Sequence, residues 1–289
     1  MREADRRKQL AKRMKYAVCI CAGIVIGIIA GICIGIDYNK TTRSTPALYT
    51  EMEHGLELTP GELANLIYDN YWNYIKKSYI IVGDDKETAQ LYKISSKVAR
   101  HNYDLERFQL DDNGYMSYSD DKIKHAKLGI DVSSHQGSID WETVKEAGIK
   151  FAMIRLGYRG YTQGGLALDD GYVTNIETAL EAEMPVGVYF YTQAVSYDEG
   201  VEEAQYVLQN IAGYKISYPV VIDTEKMEAE GARANDISNE ERTDAIVGFC
   251  ETIKDAGYTP MIYANRNWYA QNLDMDRLGD YQLLSLIHI

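Results

Sequence analysis

From residue 128 onward the sequence alternates short apolar runs with amphipathic stretches, and this alternation constrains the fold more than any other feature. The predicted strands are 128–133, 150–156, 185–191, 218–225 and 259–264, with a last one near 281–286. The predicted helices between them are 141–147, 172–183, 197–210 and 239–256. Repeated strand–helix units imply a parallel sheet covered by helices, either open or closed into a barrel.

The strand at 218–225, Y-P-V-V-I-D-T-E, ends in two acids that share one face. Because side chains alternate along a strand, Asp223 and Glu225 have Cα atoms about 7 Å apart on the same side. Two neighbouring carboxyl groups that are buried push their pKa values apart, so one can hold a proton while the other is ionised. Glycosidic bond cleavage by two carboxylates needs such a pair. The alternative is a solvated strand end whose acids pair with nearby lysines.

The same reading of strand faces selects five further side chains. They are an acid, an arginine and three tyrosines: Asp131, Arg155, Tyr189, Tyr191 and Tyr263. In a β/α barrel they would converge at the carboxyl-terminal mouth, where such barrels keep their active sites. Tyrosine outnumbers phenylalanine 24 to 4, and flat rings with a polar tip suit sugar faces as well as ordinary interfaces. Arg155 also fits as an internal counter-ion for the acids.

The charge distribution argues against nucleic-acid binding. The chain has a net charge of −13, although residues 1–15 carry seven Lys or Arg side chains against two acids. The remainder is therefore strongly acidic, whereas nucleic-acid binding needs a basic surface. The five histidines are scattered and no G-x-S-x-G motif occurs, so we predict no metal site, no cofactor and no Ser-His-Asp triad.

Residues 16–36 form an uncharged apolar run that is long enough to cross a bilayer as a helix. The basic residues before it orient the amino terminus towards the cytoplasm, so residues 1–15 would be a cytoplasmic tail. A cleaved signal peptide is the competing interpretation, but the run is long and no small-x-small cleavage site follows it convincingly. We expect a single-pass protein of the cytoplasmic membrane whose carboxyl-terminal part is extracellular.

Four glycines repeat every four residues within this run: Gly23, Gly27, Gly31 and Gly35. A small-xxx-small repeat leaves a groove in which two membrane helices pack closely. The repeat therefore raises the hypothesis of a homodimer, although glycine is common in membrane helices in general.

Residues 37–125 are predicted to form a small, mainly helical extracellular spacer. A capping-box pattern at 59–62 begins one helix, and a second helical stretch is predicted at 87–100. Asn113 and Gly114 lie between two apolar segments and predict a hairpin turn. We find no catalytic pattern in this region.

Several motifs together resemble glycoside hydrolase family 25, the Chalaropsis-type lysozymes. They are G-I-D-V-S-S-H-Q-G at 129–137, D-W at 140–141, V-Y-F at 188–190 and D-T-E at 223–225. The resemblance covers about residues 126–282 and implies an irregular, TIM-like β/α barrel at 126–289. It implies hydrolysis of the β-1,4 bond between N-acetylmuramic acid and N-acetylglucosamine, with peptidoglycan glycan strands as the partner.

The resemblance also implies roles for individual residues. Glu225 would be the general acid, Asp223 would orient the reacting acetamido group or act as nucleophile, and Asp131 would support the site. Tyr189, Tyr191 and Tyr263 are candidate sugar contacts, and Arg155 is a weaker one. A non-catalytic, membrane-tethered peptidoglycan-binding protein is the alternative function.

The sequence departs from the family at its carboxyl end. Residues 129–289 number 161, whereas a complete barrel usually needs about 200–250. The final strands of the family, one of them bearing a further active-site aspartate, are not recognisable. We therefore expect a truncated barrel with its last strands missing, and a polypeptide that is unstable or inactive although its full-length parent is a muramidase.

Overall fold

The computed structural model describes residues 71, 74, 75, 77–83, 89–100, 103–120 and 126–285. A compact unit extends from Ser78 to Ile289. The predicted membrane helix at 16–36, with its glycine repeat, lies outside the described residues. Among the helices that the structure describes, none combines the length and the apolar character that a bilayer crossing requires.

The elements are numbered in chain order. The strands are β1 (Tyr79–Val82), β2 (Gln90–Lys93), β3 (Phe108–Leu110), β4 (Met116–Tyr118), β5 (Gly129–Val132), β6 (Phe151–Arg159), β7 (Leu166–Leu168), β8 (Val186–Tyr191), β9 (Val220–Asp223), β10 (Pro260–Tyr263) and β11 (Gln282–Leu284). The helices are α1 (Trp141–Glu146), α2 (Tyr172–Glu181), α3 (Tyr197–Ile211), α4 (Asn239–Asp255), α5 (Arg266–Asn272) and α6 (Met275–Leu278).

The fold is mixed α/β, and its main sheet is a curled parallel half-barrel. Six strands lie in chain order, β5-β6-β8-β9-β10-β11, and each is parallel to its neighbours. The six predicted strands and the four predicted helices between residues 141 and 256 are confirmed. Chain order and parallel pairing follow from strand–helix units, because each helix returns the chain to the start of the next strand.

One strand of this sheet was not predicted. β7 pairs antiparallel with the end of β6, and the register of β6 against β8 shifts between Arg155 and Gly157. A Cβ at Gly157 would lie 2.2 Å from the carbonyl oxygen of Ala167, so glycine permits the close approach of β7. The segment is only three residues long, which is too short for a periodic pattern to stand out.

The core lies between the sheet and its helices. Alternate strand residues Ile154, Val188, Ile222 and Ile262 are fully buried on the helix-covered face. Burial of one such side chain stabilises the fold by about 1.5–3 kcal/mol. Cys250 of α4 is also fully buried in this core. The other sheet face is therefore free to carry polar groups.

The segment before the half-barrel corrects one prediction. The expected helix at 87–100 is wrong, because β2 pairs antiparallel with β1 there. The spacing of Leu91, Ile94 and Val98 resembles one face of a helix. The strand Tyr79–Val82, however, needs a second strand to bond its backbone N–H and C=O groups. Pairing with that strand overrides the helical propensity of residues 90–93. The predicted hairpin is confirmed: β3 and β4 pair antiparallel around Gly114, whose φ is 81°.

Helices α3 and α4 pack with almost no space between their backbones. A Cβ at Gly200 of α3 would lie 1.9 Å from the carbonyl oxygen of Ala245 in α4. A Cβ at Gly248 of α4 would lie 2.4 Å from the carbonyl oxygen of Tyr197. Because these obstacles are backbone atoms, side-chain rotation cannot relieve either contact.

We predict that Gly200→Ala lowers the free energy of unfolding by about 1–3 kcal/mol, because the added methyl group forces α3 away from α4. Denaturant unfolding followed by circular dichroism measures the loss. Gly165→Ala is the matched control, since its Cβ would meet no atom within 4 Å. Equal stability of the two variants would contradict this account of the helix contact.

Candidate active site

A cavity of about 440 Å³ opens towards the carboxyl ends of β5, β8, β9 and β10. Its polar lining comes from three acids, two tyrosines and a serine: Asp131, Asp223, Glu225, Tyr189, Tyr263 and Ser285. Its floor is apolar and includes Phe151, Met153 and Val221. Five of the seven predicted site residues therefore lie around one cleft.

Strand register explains why these side chains meet. Asp223 is paired in register with Tyr191 of β8 on one side and with Tyr263 of β10 on the other. Residues in register on parallel strands point the same way, so these three form one row across the sheet. Tyr189 and Val221 form the row below. The period of two therefore brings both tyrosines and acids to the concave face.

A glycine keeps the floor of the cleft low. A Cβ at Gly187 would lie 2.7 Å from the sulfur of Met153 and 2.7 Å from the carbonyl oxygen of Pro219. Met153 therefore occupies the space beside Gly187, beneath the acids. A larger residue at 187 would push Met153 upward into the cleft.

Asp223 is the most buried acid of the cleft, with 8% of its surface exposed. Its Oδ1 atom has no hydrogen-bond partner among the described residues. Burial raises the pKa of this carboxyl well above its usual range, and the charges of Glu225 and Asp131 add to the effect. Arg155 opposes these causes only in part. Its surroundings therefore favour the protonated form of Asp223 more than water does.

Glu225 follows β9 and is half-buried. Burial raises its pKa, while a hydrogen bond from the Tyr263 hydroxyl acts in the opposite direction. Burial together with the charges of Glu225 and Asp223 raises the pKa of Tyr263 to about 12, so Tyr263 remains a hydrogen-bond donor at neutral pH. Glu225 can therefore hold a proton in the cleft and release it to a bound molecule.

Asp131 comes from the opposite side of the cleft, on β5, and is exposed. The Tyr189 hydroxyl donates a hydrogen bond of 3.1 Å to its Oδ1 atom. Burial, followed by the charge of Asp131, raises the pKa of Tyr189. This hydrogen bond fixes the orientation of Asp131 on β5 relative to Tyr189 on β8.

Arg155 and Tyr191 do not line this cleft but a second cavity of about 440 Å³. Arg155 Nε donates a 2.7 Å hydrogen bond to Oδ2 of Asp169, so its direct partner is not one of the three cleft acids. Asp169 is buried and also accepts a 2.7 Å hydrogen bond from the Ser134 backbone. Hydrogen bonds from Arg155 and Ser134 outweigh burial and lower the pKa of Asp169.

Sequence reasoning missed Asp169 as a site residue. It lies in the turn after β7, outside any predicted strand, so strand alternation carried no signal for it. The second cavity also includes Tyr158 and Tyr161, which are exposed, and His135. Aromatic side chains therefore continue beyond the main cleft.

The acids that line the cleft differ in burial. In the part of the chain that the structure describes, no group of three or more His, Cys, Asp or Glu side chains is placed to hold a metal ion. The described acids instead combine one deeply buried carboxyl, one half-buried carboxyl with a tyrosine donor, and one exposed carboxyl.

Comparison with known proteins gives a family match. The model of the family described as "Glycosyl hydrolases family 25" matches residues 130–284, which is more than half of the chain. The matched range contains each of the acids and tyrosines that line the cleft.

Several curated relatives carry lysozyme names. An autolytic lysozyme of Clostridium acetobutylicum is 28% identical over 146 residues, which are 50% of this chain and 40% of the relative. Lysozyme M1 of Streptomyces globisporus is 30% identical over 149 residues, 49% of this chain and 47% of the relative. The chain thus spans less than half the length of either relative.

A solved structure, a family 25 glycosyl hydrolase from Bacillus anthracis, is 24% identical to this chain. The match covers 58% of this chain and 72% of that one, with a TM-score of 0.47.

We predict that Asp223→Asn stabilises the protein at pH 7, because it removes the cost of ionising a buried carboxyl group beside two other acids. The folded-state pKa of Asp223 is raised, so ionisation above the unfolded pKa of about 3.9 costs stability, and that cost disappears at lower pH. Thermal unfolding at pH 7 and at pH 3 measures the difference.

Asp236→Asn, which changes an exposed acid, is the control for this experiment. It is expected to alter stability little at either pH. A destabilised Asp223→Asn protein at pH 7 would contradict the burial argument.

Proposed function

Because the chain belongs to glycosyl hydrolase family 25, we propose that it is a muramidase acting on peptidoglycan. The bond cleaved is the β-1,4 linkage between N-acetylmuramic acid and N-acetylglucosamine. The proposal is supported by the family match and by the lysozyme names of the curated relatives. Remodelling of the wall of the producing cell is the proposed role.

The observation that carries this proposal is the meeting of Asp223 and Glu225 in one cleft, both with raised pKa values. Hydrolysis of a glycosidic bond requires a proton donor at neutral or mildly acidic pH beside a second carboxyl group. Burial supplies the first requirement, and the two-residue spacing at the end of β9 supplies the second.

In the proposed mechanism Glu225 is the general acid. Its carboxyl proton passes to the glycosidic oxygen as the bond to the anomeric carbon breaks, and the resulting carboxylate then takes a proton from the attacking water. The Tyr263 hydroxyl donates to Glu225 and stabilises the ionised form that follows proton transfer.

Asp223 is proposed to act on the acetamido group of the N-acetylmuramic acid. Its unpartnered Oδ1 atom offers a buried acceptor for the acetamido N–H. This contact would turn the acetamido oxygen towards the anomeric carbon, where it forms a bond as the leaving group departs. Direct attack by the Asp223 carboxylate is the alternative, and it is less favourable for a group whose pKa is raised so far.

The remaining predicted residues are assigned to substrate contact. Asp131, held by Tyr189, supports the charge developing in the cleft, and the rings of Tyr189 and Tyr263 face the sugar. Tyr191 and Arg155 in the second cavity are proposed to contact the continuing glycan strand. The half-barrel sheet is proposed to belong to an irregular, TIM-like β/α barrel.

We also propose that residues 16–36 anchor the protein in the cytoplasmic membrane, with 1–15 inside the cell and 37–125 as an extracellular spacer. The apolar run and the basic residues before it support this arrangement. The Gly23, Gly27, Gly31 and Gly35 groove is the proposed contact between two anchors.

Extraction of membranes from producing cells with alkaline carbonate tests the anchor. The full chain is expected to remain in the pellet, because a helix of 21 uncharged residues is held by the bilayer rather than by surface charge. Ile24→Arg is expected to weaken this retention, since it places a charge inside the apolar run. Thr41→Arg, which adds the same charge after the run, is the matched control and should be retained. Quantitative release of the unaltered chain would refute the anchor.

Glu225→Gln tests the enzymatic proposal. The substitution removes the transferable proton but keeps the size of the side chain, so we expect lysis of purified peptidoglycan to fall about 10²–10⁴-fold. Binding to insoluble peptidoglycan should stay within a factor of about two to three, because the cleft and its aromatic side chains are unchanged. Turbidity and pull-down assays measure the two quantities.

Glu228→Gln is the matched control, since Glu228 is exposed three residues further along the same loop. Its activity should equal that of the unaltered chain. If the unaltered chain binds peptidoglycan but does not lyse it, the result favours the non-catalytic, membrane-tethered binding protein instead.

A further inference from the structure

A much smaller cavity lies behind Glu225. Its volume is about 10 Å³, close to the space taken by one water-sized sphere. Glu225 and the buried residue Arg242 of α4 both line it, together with Thr192, Thr224, Ala194, Ala234, Ala245 and Ile246. Two threonines, a glutamate and an arginine thus line one small cavity.

Arg242 is a buried cation with few partners. Only 4% of its surface is exposed, and its Nε atom has no hydrogen-bond partner among the described residues. Its Nη2 atom donates a long hydrogen bond of 3.4 Å to the carbonyl oxygen of Asn235. Its guanidinium carbon lies 4.7 Å from the ring centre of Trp268.

The burial of this charge is not compensated by a direct ion pair within the part of the chain that the structure describes. Burial is the cause that lowers the pKa of Arg242. A buried charge without a partner destabilises a fold by several kcal/mol, so a compensating negative group is expected nearby. Among the described residues that line the small cavity with Arg242, Glu225 is the acidic one.

We propose that Arg242 is a positioning residue for Glu225 and that its guanidinium acts through one water molecule held in this cavity. The water accepts a hydrogen bond from Nε of Arg242 and donates one to the Glu225 carboxylate. Arg242 thereby stabilises the ionised form of Glu225, the form that remains after a proton has been given away. The proposal rests on the assignment of Glu225 as the general acid.

On the cleft side Glu225 faces groups that carry no positive charge. The Tyr263 hydroxyl donates a hydrogen bond to Glu225, and the charge of Glu225 acts on Asp223 at the end of β9 and on Tyr191 of β8. These neighbours are acids or neutral phenols at pH 7. A cation that stabilises the Glu225 carboxylate must therefore approach from another side.

Among the residues that the structure describes, Lys226 and Arg242 are cations to compare as partners for Glu225. Lys226 is exposed and its Nζ atom lies 3.6 Å from the carboxylate of Glu228, so it is directed towards that acid. Arg242 is buried and reaches the small cavity from α4. Arg242 is thus the cation on the helix side of Glu225.

Arg242 also contacts the site through Trp268, and the experiment must separate the effect of this packing contact from the effect of the charge of Arg242. Trp268, on which the guanidinium stacks, donates a 3.1 Å hydrogen bond from Nε1 to the Thr224 hydroxyl. Thr224 lies between Asp223 and Glu225 in the sequence. Loss of Trp268 contacts could therefore displace both acids without any change in charge.

The test is the pKa of Glu225, measured by NMR on the full chain labelled with [5-¹³C]glutamate and assigned with Glu225→Gln. Arg242→Met, which keeps side-chain bulk and removes the charge, is expected to raise this pKa by about 0.5–1 unit, since loss of a nearby opposite charge disfavours the carboxylate. Arg242→Lys should restore most of the difference. The alkaline limb of the activity profile should move to higher pH in Arg242→Met.

Two further variants separate charge from mechanics. Ala234→Val fills the cavity with two methyl groups while Arg242 stays in place, and we expect it to raise the Glu225 pKa in the same direction. Trp268→Phe removes the hydrogen bond to Thr224 but keeps the cation, so it should leave that pKa unchanged. If Arg242→Met does not fold, Ala234→Val and Arg242→Lys still decide the question.

An unchanged Glu225 pKa in both Arg242→Met and Ala234→Val would overturn the proposal, as would an equal shift in Trp268→Phe. The NMR measurement does not depend on activity. A shifted pKa in a protein that lyses no peptidoglycan would uphold the Arg242 contact and refute the muramidase assignment, whereas lysis with an unmoved pKa would do the reverse.

Discussion

The surrounding structure depends on one constraint. Two carboxyl groups lie two residues apart at the end of a buried strand. Asp223 has almost no contact with solvent, and Glu225 is half-buried beside it. In water both would ionise, but here desolvation and mutual repulsion make simultaneous ionisation costly. The opposite, aliphatic face of the sheet is packed against helices in a large apolar core. Burial in that core offsets the destabilisation by the two acids.

The neighbours of this pair divide into groups that favour ionisation and groups that oppose it. Tyr263 donates to Glu225 and favours its carboxylate, whereas burial opposes it. Arg155 acts weakly on Asp223 because its guanidinium is engaged by Asp169. The site therefore keeps its strongest cation–carboxylate contact outside the cleft. This separation leaves the proton on the cleft acids available, which a direct arginine pair would prevent by holding a carboxylate permanently ionised.

The sheet was largely predictable from the sequence, and the site only in part. Alternation along 218–225 and 259–264 predicts which residues share a face, and register then brings Asp223 beside Tyr263. The same rule placed Arg155 correctly by face but not by cavity, because its guanidinium group bonds Asp169 in the second cavity. Neither Asp169 nor Arg242 was predicted, because neither lies on a strand. Asp169 lies in the turn after β7, and Arg242 lies in α4, whose sequence shows only an amphipathic pattern. The hairpin of β1 and β2 was not predicted, because pairing between the two strands overrides the helix-like spacing of the second.

The segment that contains β1 and β2 contacts helices α5 and α6 at the end of the half-barrel. Arg266 of α5 donates a 3.1 Å hydrogen bond to the carbonyl oxygen of Ile81, and the Ser95 hydroxyl bonds the carboxylate of Asp276 in α6. A cavity of about 580 Å³ between them is lined by apolar groups that include Leu273. Recombinant fragments that start at the beginning of the family-like region would uncover these surfaces and invite self-association. Expression boundaries for this chain are better drawn upstream of Ser78.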